Sequence, residues 1–429
     1  MNQTQSIKSI QTRYYFITFL IWFATALPLA LMVLLAQARG MSMFEVGLAL
    51  GVYSLTIVIL EIPTGGLADA MGRKRVALLA FLLGAFYSLI FLFAFTFPLL
   101  LLAMIIYGIS RALASGALDA WFVDALQATD PNINLQPALA GVETVSLLAL
   151  GLGTLVGGAL PRLFSDLPPD GTAILTPLAI PILASLLVKL VLLMAIALLI
   201  EDDRPLNGNS WRAGVRTVPE IAHTAISMSL ANPRLLLLMS TSFVAGFAIL
   251  SLEAFWQPFF AGLPGLRSAG PMPTQIFGFI MAGSFIVGMA GNLLSVPVSR
   301  LLGGRFALTS AVSRLFQGLS ILGLSAAEAL VPAAGFFWLA YLMSGVGLSP
   351  HTTLLNAEIP AERRSVMLSV QSLAAYAGGF LGGASLGYIA DHTSITTAWF
   401  IAGTLTVLSL VPYLMLELLH KPTLSHVNS

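Results

Sequence analysis

The sequence predicts an all-α integral membrane protein of twelve transmembrane helices in two pseudo-symmetric six-helix halves. Three observations carry that expectation. The chain is apolar: its mean hydropathy is +0.91, and only 9% of its 429 residues are charged, against about 25% in a soluble globular domain. It divides into about twelve apolar runs of membrane-crossing length. And a shift of 234 residues brings its second half into register with its first.

A hydrocarbon core of about 30 Å needs roughly 20 apolar residues in a helix. By that measure spans 1 to 12 fall at 13–37, 44–65, 75–96, 98–123, 136–161, 174–200, 234–260, 274–299, 306–327, 331–357, 364–389 and 394–417. Each is read as a helix, because lipid offers backbone polar groups no partner outside the segment. The run at 14–36 is too long for a cleavable signal and has no clear small-residue cleavage site, so it is read as span 1.

The loops set the expected orientation. Lys8, Arg13, Arg73, Lys74, Arg75, Arg204, Arg212, Arg216, Arg234, Arg300, Arg305, Arg363, Arg364 and Lys421 fall on one side; Arg39, Arg162 and Arg267 fall on the other. The positive-inside rule places the first set, with both termini, in the cytoplasm of a cell whose plasma or inner membrane holds the protein. The longest polar stretch, with Asp202, Asp203, Pro205, Asn207, Gly208, Asn209 and Pro219, reads as a linker. Residues 218–230 within it have the pattern of a short amphipathic surface helix. The expected domains are thus residues 1–200, a cytoplasmic loop at 201–233, residues 234–420, and a tail at 421–429.

The 234-residue shift pairs Trp22 with Trp256, Pro63 with Pro297, Tyr107 with Tyr341, Asp124 with Glu358 and Gly153 with Gly387. Parallel repeats of this kind, related by an axis along the membrane normal, are one architecture of secondary transporters.

Between spans 2 and 3 runs Pro63-Thr-Gly-Gly-Leu-Ala-Asp69-Ala-Met-Gly72-Arg73-Lys74-Arg75. The pattern formed by Gly65, Leu67, Asp69, Gly72, Arg73 and Lys74 resembles the signature loop of the major facilitator superfamily; Ala70 stands where that pattern often has a further Arg. Residues 296–305 look like a worn copy that lacks the Asp. The resemblance covers about 13–417. It implies twelve helices around a central substrate site lined by spans 1, 4, 7 and 10, exposed to either side in turn. It further implies that Asp69 meets the N-terminal end of span 11 near Ser365 to Leu368, where a carboxylate gains typically 0.3–1 kcal/mol from the helix dipole. That contact would tie the halves together on the cytoplasmic side. An ordinary positive anchor explains the three cations of the loop but not its Asp.

Span 4 carries Arg111, Ser115 and Asp119 at helical spacing along one face. Ionisable groups inside a membrane face a cavity or a partner. The two readings are a cavity role and an internal ion pair with Glu143 of span 5. Asp124 is expected to pair with Arg73 or Arg75, and Glu358 with Arg300 or Arg305. Together with Gly65, Leu67, Asp69, Gly72, Arg73 and Lys74 they make up the candidate gate.

Glycines 151, 153, 157 and 158 of span 5, and 378, 379, 382, 383 and 387 of span 11, permit close helix approach. Spans 5 and 11 are expected against spans 8 and 2 across the interface between the halves. Gly157-Gly158 stands where drug/proton antiporters of the family carry Gly-Pro.

Span 7 sets Glu253, Trp256 and Gln257 on one face. Glu253, Asp119 and Glu143 are the candidate proton carriers. Arg111, Trp22, Tyr53, Trp256, Gln257, Tyr341 and His351 are the candidate cavity residues. The first reading of Trp256 is nevertheless an interfacial aromatic, and that of His351 a hydrogen-bonded structural histidine. Lys189 and Arg314 lie on spans 6 and 9, where they are expected to snorkel or pair locally.

No cysteine is present, which excludes disulfides and thiolate metal sites. A net charge of +1 without a basic patch argues against a nucleic-acid partner. Gly151-x-Gly-x-x-x-Gly157 follows no strand and is not a nucleotide loop. No nucleophile or metal constellation appears, so an enzyme, a metal and a bound cofactor are not expected. The expected function is proton-coupled export of small amphiphilic compounds by a monomer in the bilayer. The alternatives are uptake of a specific small anion through Arg111, or a non-transporting receptor or lipid scramblase of the same fold.

Overall fold

The structure, a computed structural model, describes residues 6–65, 71–169, 171–201, 232–267, 273–359 and 364–419. Eleven helical stretches among them are long and apolar enough to cross a membrane. The twelfth, span 1, begins at Ile7 and carries Lys8, Gln11 and Arg13 in its first turns, and its helix is broken at 27–31. It continues as Met32–Ala38. The remaining spans are Met43–Gly65, Arg73–Leu92, Phe97–Ala114 with Ala117–Thr129, Leu135–Leu163, Ile180–Leu199, Pro233–Gly262, Thr274–Leu301, Phe306–Ser325, Leu330–Ala357, Arg364–His392, and Ile395–Leu408 with Leu410–Leu418. Leu67, Asp69, the linker at 202–231 and the tail at 420–429 lie outside the described residues.

Helix starts follow local chemistry. Ser6, Asn134, Asn232 and Ser394 each accept a hydrogen bond from a backbone N–H of the following first turn. Ser42 and Glu45 cap span 2 reciprocally: Glu45 N donates to Ser42 Oγ at 3.2 Å, and Ser42 N donates to Glu45 Oε2 at 2.9 Å. This is the Ser-x-x-Glu capping box.

Three spans expected as continuous helices are not; span 12 is interrupted at Ser409. Span 4 breaks at Ser115-Gly116, where Gly116 has φ +74°. An L-residue there pays the left-handed penalty that glycine escapes. Span 1 breaks just before and through Pro28, which lacks an N–H to continue the ladder.

Spans 1 to 6 form one bundle and spans 7 to 12 the other. The halves meet along spans 2 and 11 and along spans 5 and 8. The glycines make those contacts close. Gly47 lies on Gly383, and Gly387 on Met43 and Phe44. A Cβ on Gly158 would stand 2.8 Å from the backbone N of Gly278, so spans 5 and 8 touch main chain to main chain.

One end of the bundle carries Arg73, Lys74, Arg234 and Arg305 and is called here the basic end. At the opposite, far end, several hydrogen bonds join the halves. Asp391, in the last turn of span 11, accepts from Met43 N and Phe44 N at 2.8 Å each. Gln257 of span 7 reaches into the break of span 1. Its Nε2 donates to Leu29 O at 2.9 Å, and its Oε1 accepts from Val33 N at 3.0 Å and Leu34 N at 3.3 Å. One amide from the second half thus satisfies three backbone groups that the break leaves without helical partners.

Candidate functional site

A cavity of about 270 Å³ lies between the halves. Its far wall is the broken part of span 1 with Gln257. Spans 1 and 4 contribute Trp22 and Arg111, span 2 Tyr53, and span 7 Glu253 and Trp256. Spans 3 and 6 also reach it, through Tyr87 and Lys189.

Aromatic packing shapes the wall. Tyr107 stacks between Tyr53, at 4.8 Å and 14°, and Tyr87, at 4.2 Å and 15°. Trp256 is buried and packs on Phe277 at 5.9 Å and on Phe337 at 5.6 Å. The Arg111 guanidinium lies 5.1 Å from the ring centroid of Trp22, a cation–π distance.

Glu253 is the one acid among the described residues of the lining. Its side chain is open to the cavity although its helix is central. Lys189 is 5% exposed. Its Nζ donates to Ser88 Oγ at 2.7 Å and lies 4.9 Å from the centroid of Tyr87 and 5.7 Å from that of Tyr107. Lys189 was expected to snorkel or pair locally, away from substrate. It stands instead in the cavity wall, because the tenth residue of a twenty-residue helix lies about 14 Å from either end at 1.5 Å per residue. A lysine stem cannot span that distance, so the ammonium turns inward.

The other candidate residues fall into separate groups. Asp119 accepts a hydrogen bond from Tyr14 and lines a second cavity of about 220 Å³ inside the first half, with Ser115 and Thr18. Trp22 and Arg111 belong to both cavities. Glu143 is exposed on span 5 and pairs with neither Arg111 nor Asp119. Tyr341 packs on Phe337 at 5.0 Å with its hydroxyl buried. His351 is buried away from the cavity, between Ser242 Oγ at 3.0 Å and Tyr413 Oη at 2.8 Å.

Within the signature loop, Gly72 has φ +88° and turns the chain into span 3. Arg73 is buried and pairs with Asp124 at 2.6 Å. Lys74 Nζ donates to Ala197 O at 2.7 Å. Glu358 pairs with Arg234 at 2.9 Å, while Arg305 pairs with Glu417 at 2.6 Å. Glu358 therefore ties span 10 to the start of span 7, not to the loop after span 8. Its helix ends beside Asn232-Pro233, which brings Arg234 nearer than Arg300.

A bundle of membrane-crossing helices in two halves with a mixed polar and aromatic cavity between them is a transporter architecture. The sequence model of the Major Facilitator Superfamily matches residues 14–359. The chain belongs to that family and is a multi-pass membrane transporter of its type. An uncharacterized major-facilitator-type transporter of Methanocaldococcus jannaschii is 21% identical over 413 residues, covering 93% of this chain and 98% of that one. The crystal structure of the nucleoside transporter NupG superposes with a TM-score of 0.74 at 13% identity, over 96% of this chain and 100% of that one. A bacterial homologue of the human lysosomal transporter Spinster, inward-facing and unoccupied, superposes with a TM-score of 0.68 at 16% identity, over 95% of each chain. At these identities the two structures speak for the fold.

Proposed function

We propose that this protein is a proton-coupled exporter of small amphiphilic compounds, working by alternating access as a monomer in the cell membrane. The observation that carries the reading is Glu253, an acid deep in the bundle, facing a cavity whose other walls are mainly aromatic and apolar side chains, with two cations, Gln257 and Thr25. Intramembrane acids facing a cavity are the usual proton carriers of secondary transporters. The proton gradient is the energy source, and no cofactor takes part. The positive-inside rule makes the basic end and both termini cytoplasmic. The far end, closed by Gln257 and Asp391, is then the outer side. On that assignment the cavity is shut off from the outer side.

The test is transport in proteoliposomes with an imposed pH gradient. The wild type accumulates an amphiphile against its gradient. Glu253→Gln loses pH-driven accumulation while retaining substrate exchange. Accumulation that ignores the pH gradient removes the coupling. Absence of any transported compound favours a receptor or scramblase of the same fold. Uptake of a small anion is the second reading, and Arg111 with Lys189 in one wall is the observation that favours it.

A further inference from the structure

We infer that the cavity selects a small organic anion with a planar aromatic face, the anionic group held between Lys189 and Arg111 and the ring laid on the Tyr53–Tyr107–Tyr87 wall. This rests on the transporter reading and names its substrate class.

The charges of the wall are unbalanced. Two cations and one acid line the cavity. Neither cation has a carboxylate within 4 Å among the described residues. Lys189 spends one donor on Ser88 and can offer the others; an ammonium has three. A buried cation without a counter-charge is costly, and proteins keep one where it has a function. Arg111 adds a planar fork suited to a carboxylate. Both cations rest against rings instead of acids: Arg111 on Trp22, and Lys189 on Tyr87 and Tyr107. An incoming anion would complete the charge pairing while leaving those ring contacts in place.

The Tyr107 ring of span 4 lies within 15° of the Tyr53 ring of span 2 and of the Tyr87 ring of span 3. They form a stack beside the two cations, and offset stacking is the preferred approach for a further ring. The cavity of about 270 Å³ is at the small end of ligand pockets, which run from roughly 300 to 1,000 Å³. It suits a compound with one ring and a short acidic arm.

The experiment is isothermal titration of the full-length protein in detergent. The probes are phenylacetate and indole-3-acetate, their neutral amides, acetate and tetraphenylphosphonium. The aromatic acids are expected to bind at least tenfold tighter than their amides, and acetate to give no binding. Lys189→Met removes the charge at similar volume and should weaken the acids at least tenfold, leaving the amides within twofold. Arg111→Gln should do likewise. Lys189→Arg keeps the charge and should retain acid binding; a wild-type melting temperature for each variant verifies folding. Amides as tight as acids, tighter binding of the phosphonium, acid binding that survives Lys189→Met, or no acid binding to folded wild type would each overturn the inference. Proteoliposomes separate the two failures. Transport of a neutral or cationic amphiphile through Glu253, without competition by the acids, overturns the anion site and leaves the transporter standing. Acids that bind with the expected variant effects but never cross leave the site standing and remove the transport reading.

Discussion

Asp391→Asn should loosen the far end of the bundle. Asp391 sits in the last turn of span 11, where its charge is unfavourable to its own helix dipole. It faces the first turn of span 2 and takes the N–H groups of Met43 and Phe44, one on each carboxylate oxygen, at 2.8 Å. A carboxylate at a helix N-terminus contributes about 0.3–1 kcal/mol when exposed and up to about 2 when partly buried. Asp391 is exposed, and Glu45 already supplies a second negative charge to the same helix start, so the lower range applies. Asparagine keeps one acceptor and loses the charge and one bond. The loss is about 1 kcal/mol, which shifts the ratio of closed to open far end about fivefold. The chain has no cysteine, so spin labels can be placed without background. Asp166→Cys and Glu328→Cys put one label on each half at the far end, both at exposed positions. Pulsed dipolar spectroscopy should show the longer-distance population rise about fivefold in Asp391→Asn. A distribution unchanged within twofold would refute the argument that this carboxylate holds the halves together.

Gln257→Ala leaves Leu29 O, Val33 N and Leu34 N without their partner; each unsatisfied buried group costs about 1–3 kcal/mol. The melting temperature should fall and the same label pair should lengthen, whereas an unchanged melt would mean that water replaces the amide. Arg73 and Asp124 lie 2.6 Å apart with the Arg73 side chain 11% exposed, so Arg73→Ala and Asp124→Asn should each destabilise by more than about 1 kcal/mol and their effects should not add. Strict additivity in the double variant, read by thermal melting, would show the pair to be uncoupled.

The apolar runs made the twelve spans legible, since a segment in lipid closes its own hydrogen bonds and shows as an unbroken hydrophobic stretch. The same property hid the breaks. Hydropathy does not see backbone direction, so 27–31 and 115–116 read as helix. The Ser115-Gly116 pair was the available sign, because such pairs are common at kinks. The break in span 1 had Pro28 as its local sign, but the amide that satisfies it comes from 228 residues away, which no local pattern encodes. Glu253 was legible as an intramembrane acid. Lys189 was equally legible by depth, but was assigned by the usual peripheral place of its span. Pairing partners were legible only where the chain brings them close: Arg73 and Asp124 meet as expected, while Glu358 takes Arg234, which a 234-residue repeat argument does not supply.

Asp391 was missed because the repeat was the guide, and the repeat is parallel. Its 234-residue equivalent is Gly157, which carries no charge. The relevant relation is between spans 2 and 11, which pack as neighbours and run in opposite directions, one even and one odd in a chain of successive crossings. The N-terminus of each therefore lies beside the C-terminus of the other. A carboxylate at the C-terminal end of either span is poorly placed for its own dipole and well placed for its neighbour's. Asp391 occupies that position at the far end; Asp69, four residues past Gly65 in the sequence and outside the described residues, is the one the family resemblance leads us to expect at the other. Two aspartates would then clamp the same helix pair at opposite ends, and rocking of the halves would break one clamp as it makes the other.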